Sequence, residues 1–143
     1  MTQYIDPDRA QFDAFKALDR DAPLDMLNLV KLQDKANYPG DHGLARDGLT
    51  GADAYELYGK ESGPVFARVG GKIVWRGQFD LTLIGPQDET WDVAFIARYP
   101  NAHAFLEMIS DPIYKDAVVH RQAAVETSRL IRTQNLPLTD GFA

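Results

Sequence analysis

The stretch WDVAFIARYPNAHAFLEMISDPIYKDAVVHRQAAVETSR, Trp91 to Arg129, decides the fold. A strand is expected from Trp91 to Tyr99, and Pro100 stops it, because proline cannot donate to a sheet ladder. Trp91, Val93, Phe95, Ala97 and Tyr99 fall on one face; Asp92, Ala94, Ile96 and Arg98 fall on the other. The middle of this strand is therefore apolar on both sides, which marks a central strand. A helix follows, with Phe105, Leu106, Met108 and Ile109 at helical spacing. Asp111-Pro112 interrupts and restarts it, since Asp caps a helix start and Pro suits its first turn. Ile113, Ala117, Val118, Ala124 and Val125 continue the apolar stripe. A last short strand is expected over Ser128 to Thr133.

Upstream, Ile73 to Ile84 alternates apolar and polar residues and predicts an edge strand. Gly77 inside it signals a bulge or a close backbone approach. Gly85 to Thr90 would turn it back into Trp91–Tyr99 as an antiparallel hairpin. Before it, Ala52 to Glu61 reads as a helix with Ala54, Tyr55 and Tyr58 on one side, started by Thr50 or Asp53. Ser62-Gly63-Pro64 should kink or break it, and a second piece, Pro64 to Val69, should end at Gly70-Gly71. Leu24 to Leu32 is a strand with apolar residues on both faces, interrupted by Asn28 and Lys31, which point opposite ways. Gln33 to Thr50 is a long polar loop, read either as a lid or binding loop or as disorder. At the front, Asp6 would cap and Pro7 open a short helix reaching about Asp19. The tail after Thr133 is expected to be an arm or frayed.

The order is a helix followed by β-α-β-β-α-β, the ferredoxin-like α+β arrangement. The 143 residues make one domain, with a core over about 24–133 and the polar insertion at 33–50. Helices cover one sheet face only. The other spans on the order of 400 Å² from strand spacing and rise, as large as the biggest apolar patch that monomers usually leave bare. A second copy packing sheet against sheet is the simplest cover, so a homodimer is expected.

Composition narrows the function classes. A formal charge of −6 without a basic cluster argues against nucleic acid or an anionic membrane as partner. The absence of cysteine excludes disulfides, iron–sulfur ligation and thiol nucleophiles. The first ten residues have no basic n-region and no apolar h-region, and no apolar run reaches the ~18 residues of a membrane span. A cytoplasmic protein is expected. Phosphate-cradling loops, dinucleotide fingerprints and nucleophile elbows are absent from the sequence.

Taken together, several short runs resemble the uncharacterised DUF-thirteen-thirty family of the dimeric α+β-barrel superfamily. They are Ala54-Tyr55-Glu56-Leu57-Tyr58-Gly59, Gly70-Gly71, Trp75-Arg76-Gly77 and Tyr99-Pro100-Asn101. Phe105, Asp111-Pro112-Ile113-Tyr114 and His120-Arg121-Gln122-Ala123 follow in the same order. The similarity covers roughly Met26 to Arg132. The N-terminal helix, the 33–50 insertion and Arg98, where an acidic residue commonly stands, depart from the pattern. The resemblance implies the ferredoxin-like fold and a dimeric barrel, and no assigned reaction.

Candidate site residues follow from chemistry. Arg121 can clamp a carboxylate and His120 can move a proton near neutral pH; the competing reading is a cap or salt bridge on their helix. Asn28, Lys31 and Arg98 are polar groups in apolar strands and need either a ligand or a structural partner. Tyr55 and Tyr58 share a helix face, as pocket lining or as core. Trp75 and Trp91 read as core or dimer contacts. His103 and Glu107, four apart, have metal-ligand spacing but equally suit a solvated surface, as does His42 in the loop. The expected protein is a small-molecule-binding homodimer acting on a small anionic or aromatic metabolite, without a cofactor or metal. Its pocket would lie between sheet and helices, roofed by the 33–50 loop, with His120 and Arg121 as catalytic candidates. By resemblance, superfamily relatives include cofactor-free monooxygenases and isomerases. One alternative is a haem-binding monooxygenase, since haem-degrading relatives use an Asn, a Trp and a helical His, and Asn28, Trp75 and His120 supply those types. The other is a non-catalytic binding or stress module.

Overall fold

The computed structural model describes residues 3–143. The elements run α1 (Arg9–Ala17), β1 (Leu24–Leu32), α2 (Gly51–Arg68), β2 (Lys72–Gly77), β3 (Val93–Tyr99), α3 (Ala102–Ser110), α4 (Pro112–Ala124) and β4 (Val125–Thr133). The strands form one antiparallel sheet in the order β2-β3-β1-β4. This is the ferredoxin-like α+β arrangement, with α1 as an extra N-terminal helix and α3–α4 as the second crossover.

Cap chemistry explains the break between α3 and α4. Asp111 ends α3 and also caps α4, accepting from the Ile113 N–H at 2.7 Å, with Pro112 in the first turn. Its other oxygen takes Arg68 from α2 at 2.8 Å. α2 opens on a capping box: Thr50 accepts from the Asp53 N–H and Asp53 accepts from the Thr50 N–H, both at 3.0 Å. Its end is set by Gly70, whose φ of 90° is the left-handed conformation that glycine enters cheaply.

Four local expectations are corrected. α2 does not break at Ser62-Gly63-Pro64; it runs through Pro64 to Arg68. Ser62 and Val65 are buried on either side of the proline, and that burial holds the turn together despite the lost backbone bond. α1 starts at Arg9, capped by Asp8, because Asp6 is taken by the Gln122 amide at 3.3 Å. β2 stops at Gly77, far short of Ile84. Its partner strand turns away there: the Asp92 N–H donates to Val30 and its carboxylate accepts from Leu32, both on β1. Residues 78–92 therefore form an irregular excursion, with Leu81, Leu83 and Ile84 exposed. β4 starts three residues early, at Val125, directly from the end of α4.

The helix-side face of the sheet carries Met26, Val30, Ala97 and Tyr99, all buried beneath α2, α3 and α4. Register places Leu27 opposite Ile96 and Leu29 opposite Ala94 on the other face. No helix or strand among the described residues covers that face. Asp25 and Arg98 form a two-point ion pair at its end, with Nε–Oδ1 at 2.8 Å and Nη2–Oδ2 at 3.0 Å. The Arg98 hydrogen bond holds the Asp25 carboxyl below its ordinary value of 3.8. A depressed folded-state value means that the pair's contribution is complete above the unfolded value and fades as pH falls through the folded one. Asp25→Asn should therefore flatten the acid limb of a stability–pH curve below about pH 4. Denaturant midpoints measured from pH 2 to 7 check it, and an unchanged acid limb would show that the pair is inert.

Candidate functional site

A cavity of about 1260 Å³ lies between the helix-side sheet face and the helices. Its floor includes a row of side chains set by register: Leu130 on β4, Asn28 on β1, Phe95 on β3 and Arg76 on β2. One wall is α2, which presents Tyr55, Tyr58, Gly59 and Ser62 at helical spacing. α4 adds Tyr114, Val118 and Arg121, at spacings of four and three. The roof is the N-terminal segment, with Ile5, Pro7, Phe12, Phe15 and Leu18 turned toward the space. The expected roof, the 33–50 loop, lies elsewhere. It packs by its own Tyr38 and by hydrogen bonds from Gln33 and Asn37 to the end of α4.

The polar groups in this apolar space are mostly donors. The Asn28 amide donates to the Met26 carbonyl at 3.0 Å, which leaves its oxygen free. The Tyr58 and Tyr114 hydroxyls share one hydrogen bond at 2.9 Å. Among the described residues Tyr55 has no hydrogen-bond partner, yet no buried side-chain polar atom is unsatisfied. Its hydroxyl therefore opens onto the cavity. Burial pushes the Tyr55 and Tyr114 phenols well above their usual range, so both stay protonated. Arg121 donates to the Ile5 carbonyl and, at 3.2 Å, to Ser128. Arg132 donates to the carbonyls of Phe15 and Asp19. Among the described residues Arg76, Arg121 and Arg132 form no ion pair. The carboxylate on the lining, Asp6, is bound to Gln122.

Of the residues singled out in the sequence, Asn28, Tyr55, Tyr58 and Arg121 meet in this cavity. Arg98 is paired with Asp25 beyond the sheet, and Lys31 with Glu126 at 3.4 Å. His120 is buried on the other side of α4. Its Nδ1 meets the Tyr38 hydroxyl at 2.6 Å and its Nε2 meets Glu61 at 2.8 Å, with His42 stacked on Tyr38. His120 and Arg121 are adjacent in sequence and point apart. Asn28, Trp75 and His120 likewise do not converge: Trp75 pairs with Ile96 and is about half exposed on the bare sheet face. His103 goes to Asp21 and Glu107 to Arg68, so that pair shares no site. Trp91 stacks with Arg129, whose guanidinium also lies over Tyr4. Arg76, Tyr114 and Arg132 line the cavity without having been singled out. The Tyr114–Val118–Arg121 spacing was readable as one helix face; nothing in the alternation of β2 and β4 distinguished Arg76 or Arg132.

Fold and cavity together define a ferredoxin-like α+β domain that holds a donor-rich pocket under its helices. The family described as "Domain of unknown function (DUF1330)" matches residues 44–133, well over half of the chain, and the protein belongs to that family. A crystal structure of a protein of unknown function from Rhodopseudomonas palustris is 58% identical, covers 96% of this chain and 100% of its own, and superposes with a TM-score of 0.89. The methylated form of that protein gives 56% identity over 99% of this chain and 100% of its own, again at 0.89. At the level of fold alone, the chain is similar to SnoaB, a cofactor-independent oxygenase from Streptomyces nogalater. The identity is 15%, covering 84% of this chain and 99% of that one, at a TM-score of 0.51. No curated protein matches the chain. No helix among the described residues is long and apolar enough to cross a membrane.

Proposed function

We propose that the protein is a cytoplasmic homodimer that binds a small anionic or aromatic metabolite in the cavity between sheet and helices. One observation carries this reading: an acidic chain places three arginines, none within 4.0 Å of a carboxylate oxygen among the described residues, around an aromatic-walled cavity. Acidic residues outnumber basic ones 21 to 15, so unpaired guanidinium groups are not forced by composition. A guanidinium in such a place offers paired donors to a carboxylate. The reading is one of binding. SnoaB, the oxygenase that shares the fold, works without a cofactor. Here no histidine lines the cavity, and His120 is engaged by Tyr38 and Glu61.

2-Naphthoate, an aryl carboxylate, is a suitable probe. It should bind the wild-type protein by titration calorimetry and raise its melting temperature. Arg121→Gln should weaken binding by about tenfold or more, the effect of losing one charged hydrogen bond. Absence of binding to the wild-type protein, by both methods, would end this reading.

A further inference from the structure

We infer that the helix wall of the cavity is an oxyanion subsite, built for the phenolate, enolate or carboxylate oxygen of a flat aromatic molecule, and that Gly59 makes room for its ring. This rests on the ligand-binding reading above and names the class of ligand more narrowly.

The wall is an array of donors without a carboxylate. Tyr55 and Tyr58 stand one turn apart on α2, with ring centroids 5.5 Å apart. Tyr114 faces them from α4, its ring centroid 6.0 Å from that of Tyr58. Two hydroxyls joined by one hydrogen bond use only one of their two hydrogens. Among the described residues the second O–H of the Tyr58–Tyr114 pair has no acceptor, and neither has Tyr55. Arg121 lies seven residues after Tyr114 and spends two of its five donors on Ile5 and Ser128. The wall thus lacks an acceptor of its own for at least two phenolic hydrogens and several guanidinium hydrogens. A neutral apolar ligand would displace water from all of them and leave them unpaired, which costs free energy. A conjugated oxyanion satisfies them and keeps an aromatic body for the apolar floor of Phe95 and Met26.

Gly59 supplies the second, independent observation. Gly59 and Gly63 are one turn apart on α2, both line the cavity, and a Cβ added to either would meet nothing within 4 Å. Gly63 has a local reason: it precedes Pro64, whose ring disfavours a helical residue with a side chain before it. Gly59 has none. Alanine is the better helix former and fits. What the missing side chain gives at Gly59 is open space beside Tyr55 and Ser62, where a ring can lie against the helix backbone.

The probe is 4-nitrophenol, whose phenolate absorbs in the visible range and whose phenol does not. With buffer at the probe's own pKa, adding wild-type protein should raise the phenolate band, because the subsite prefers the anion. Tyr55→Phe removes a hydroxyl that has no protein partner, so it should leave folding intact and weaken binding of the phenolate by about tenfold. Gly59→Leu should weaken binding at least as much without lowering the melting temperature. The inference fails if the dye binds as the phenol, or if Tyr55→Phe and Gly59→Leu bind it as the wild type does. When 2-naphthoate binds and loses affinity in Arg121→Gln while either of these holds, only the subsite is overturned. If neither probe binds, the cavity reading falls, and this inference with it.

Discussion

Gly51→Ala should destabilise the protein by at least about 3 kcal/mol, at the upper end of overpacking effects. Gly51 is buried as the first residue of α2, and its N–H donates to the Gln33 carbonyl at 3.1 Å. A Cβ there would sit 2.0 Å from that carbonyl oxygen and 2.9 Å from the Gln33 carbon and nitrogen. These are backbone atoms, so no rotamer change relieves the contact. Gln33 cannot retreat either, because its own N–H is tied to Ala124 at the end of α4 at 2.8 Å. The two ends of the 33–50 loop meet at this point, next to the Lys35–Thr50 bridge and the capping box. The added methyl must therefore move the loop, the start of α2 or the β1 end, each of which is anchored. A melting temperature lower by about 10 °C is expected for a chain of this size. Gly59→Ala is the internal control: the same change in the same helix, with open space, should leave the melting temperature equal or higher. A Gly51→Ala protein that melts with the wild type would show that the junction is softer than its hydrogen bonds imply.

The loop junction also shows where sequence reading stops. Asp111-Pro112 was legible because cap and restart are local chemistry, complete within three residues. Asn28 was legible because a polar residue in an apolar strand must be satisfied, and the strand period assigned it to one face. The central strands and the sheet's two apolar faces followed from alternation alone. Pro64 misled because its penalty is local while the burial of Ser62 and Val65 that outweighs it is tertiary. Asp6 and Asp8 are equal as caps on paper; Gln122, distant in sequence, takes the first. Lys31 and Arg98 carry charge in apolar strands, but their partners Glu126 and Asp25 came from other strands. His120 is the sharpest case. Its neighbour Arg121 faces the cavity, and it faces Tyr38 in a loop 82 positions away, a contact that no helical period contains. The roof over the cavity went unread for the same reason: α1 looked like a short amphipathic helix with nothing to say what lay beneath.

Leu29→Lys should turn the proposed dimer into a monomer. Leu29 lies at the middle of the sheet face that the helices leave bare, beside Leu27 and between Ala94 on β3 and Arg129 on β4. Trp75 and Ile131 stand on the same face, 48% and 46% exposed. That face alone offers on the order of 400 Å² per copy, about half of the roughly 800 Å² that each partner of a stable interface buries. Other apolar side chains of the chain are exposed too. Leu81, Leu83 and Ile84 of the 78–92 excursion are 72%, 86% and 94% exposed, and Leu136, Leu138 and Phe142 of the tail are bare as well. A lysine at position 29 would add a charge beside Arg129 in the middle of that contact, close to its twofold mate, and both desolvation and repulsion oppose it. Ile84→Ser removes one of these exposed apolar side chains and should weaken the dimer without abolishing it. Light scattering at micromolar concentration should give twice the 16.0 kDa chain mass for the wild type and the single mass for Leu29→Lys. A monomeric wild type would refute the dimer, and a dimeric Leu29→Lys would move its interface off the sheet. Asn28 separates Leu27 from Leu29 on one strand and points the other way, into the cavity. A folded Leu29→Lys monomer should therefore keep 2-naphthoate binding close to the wild-type level, since residue 29 faces away from the cavity.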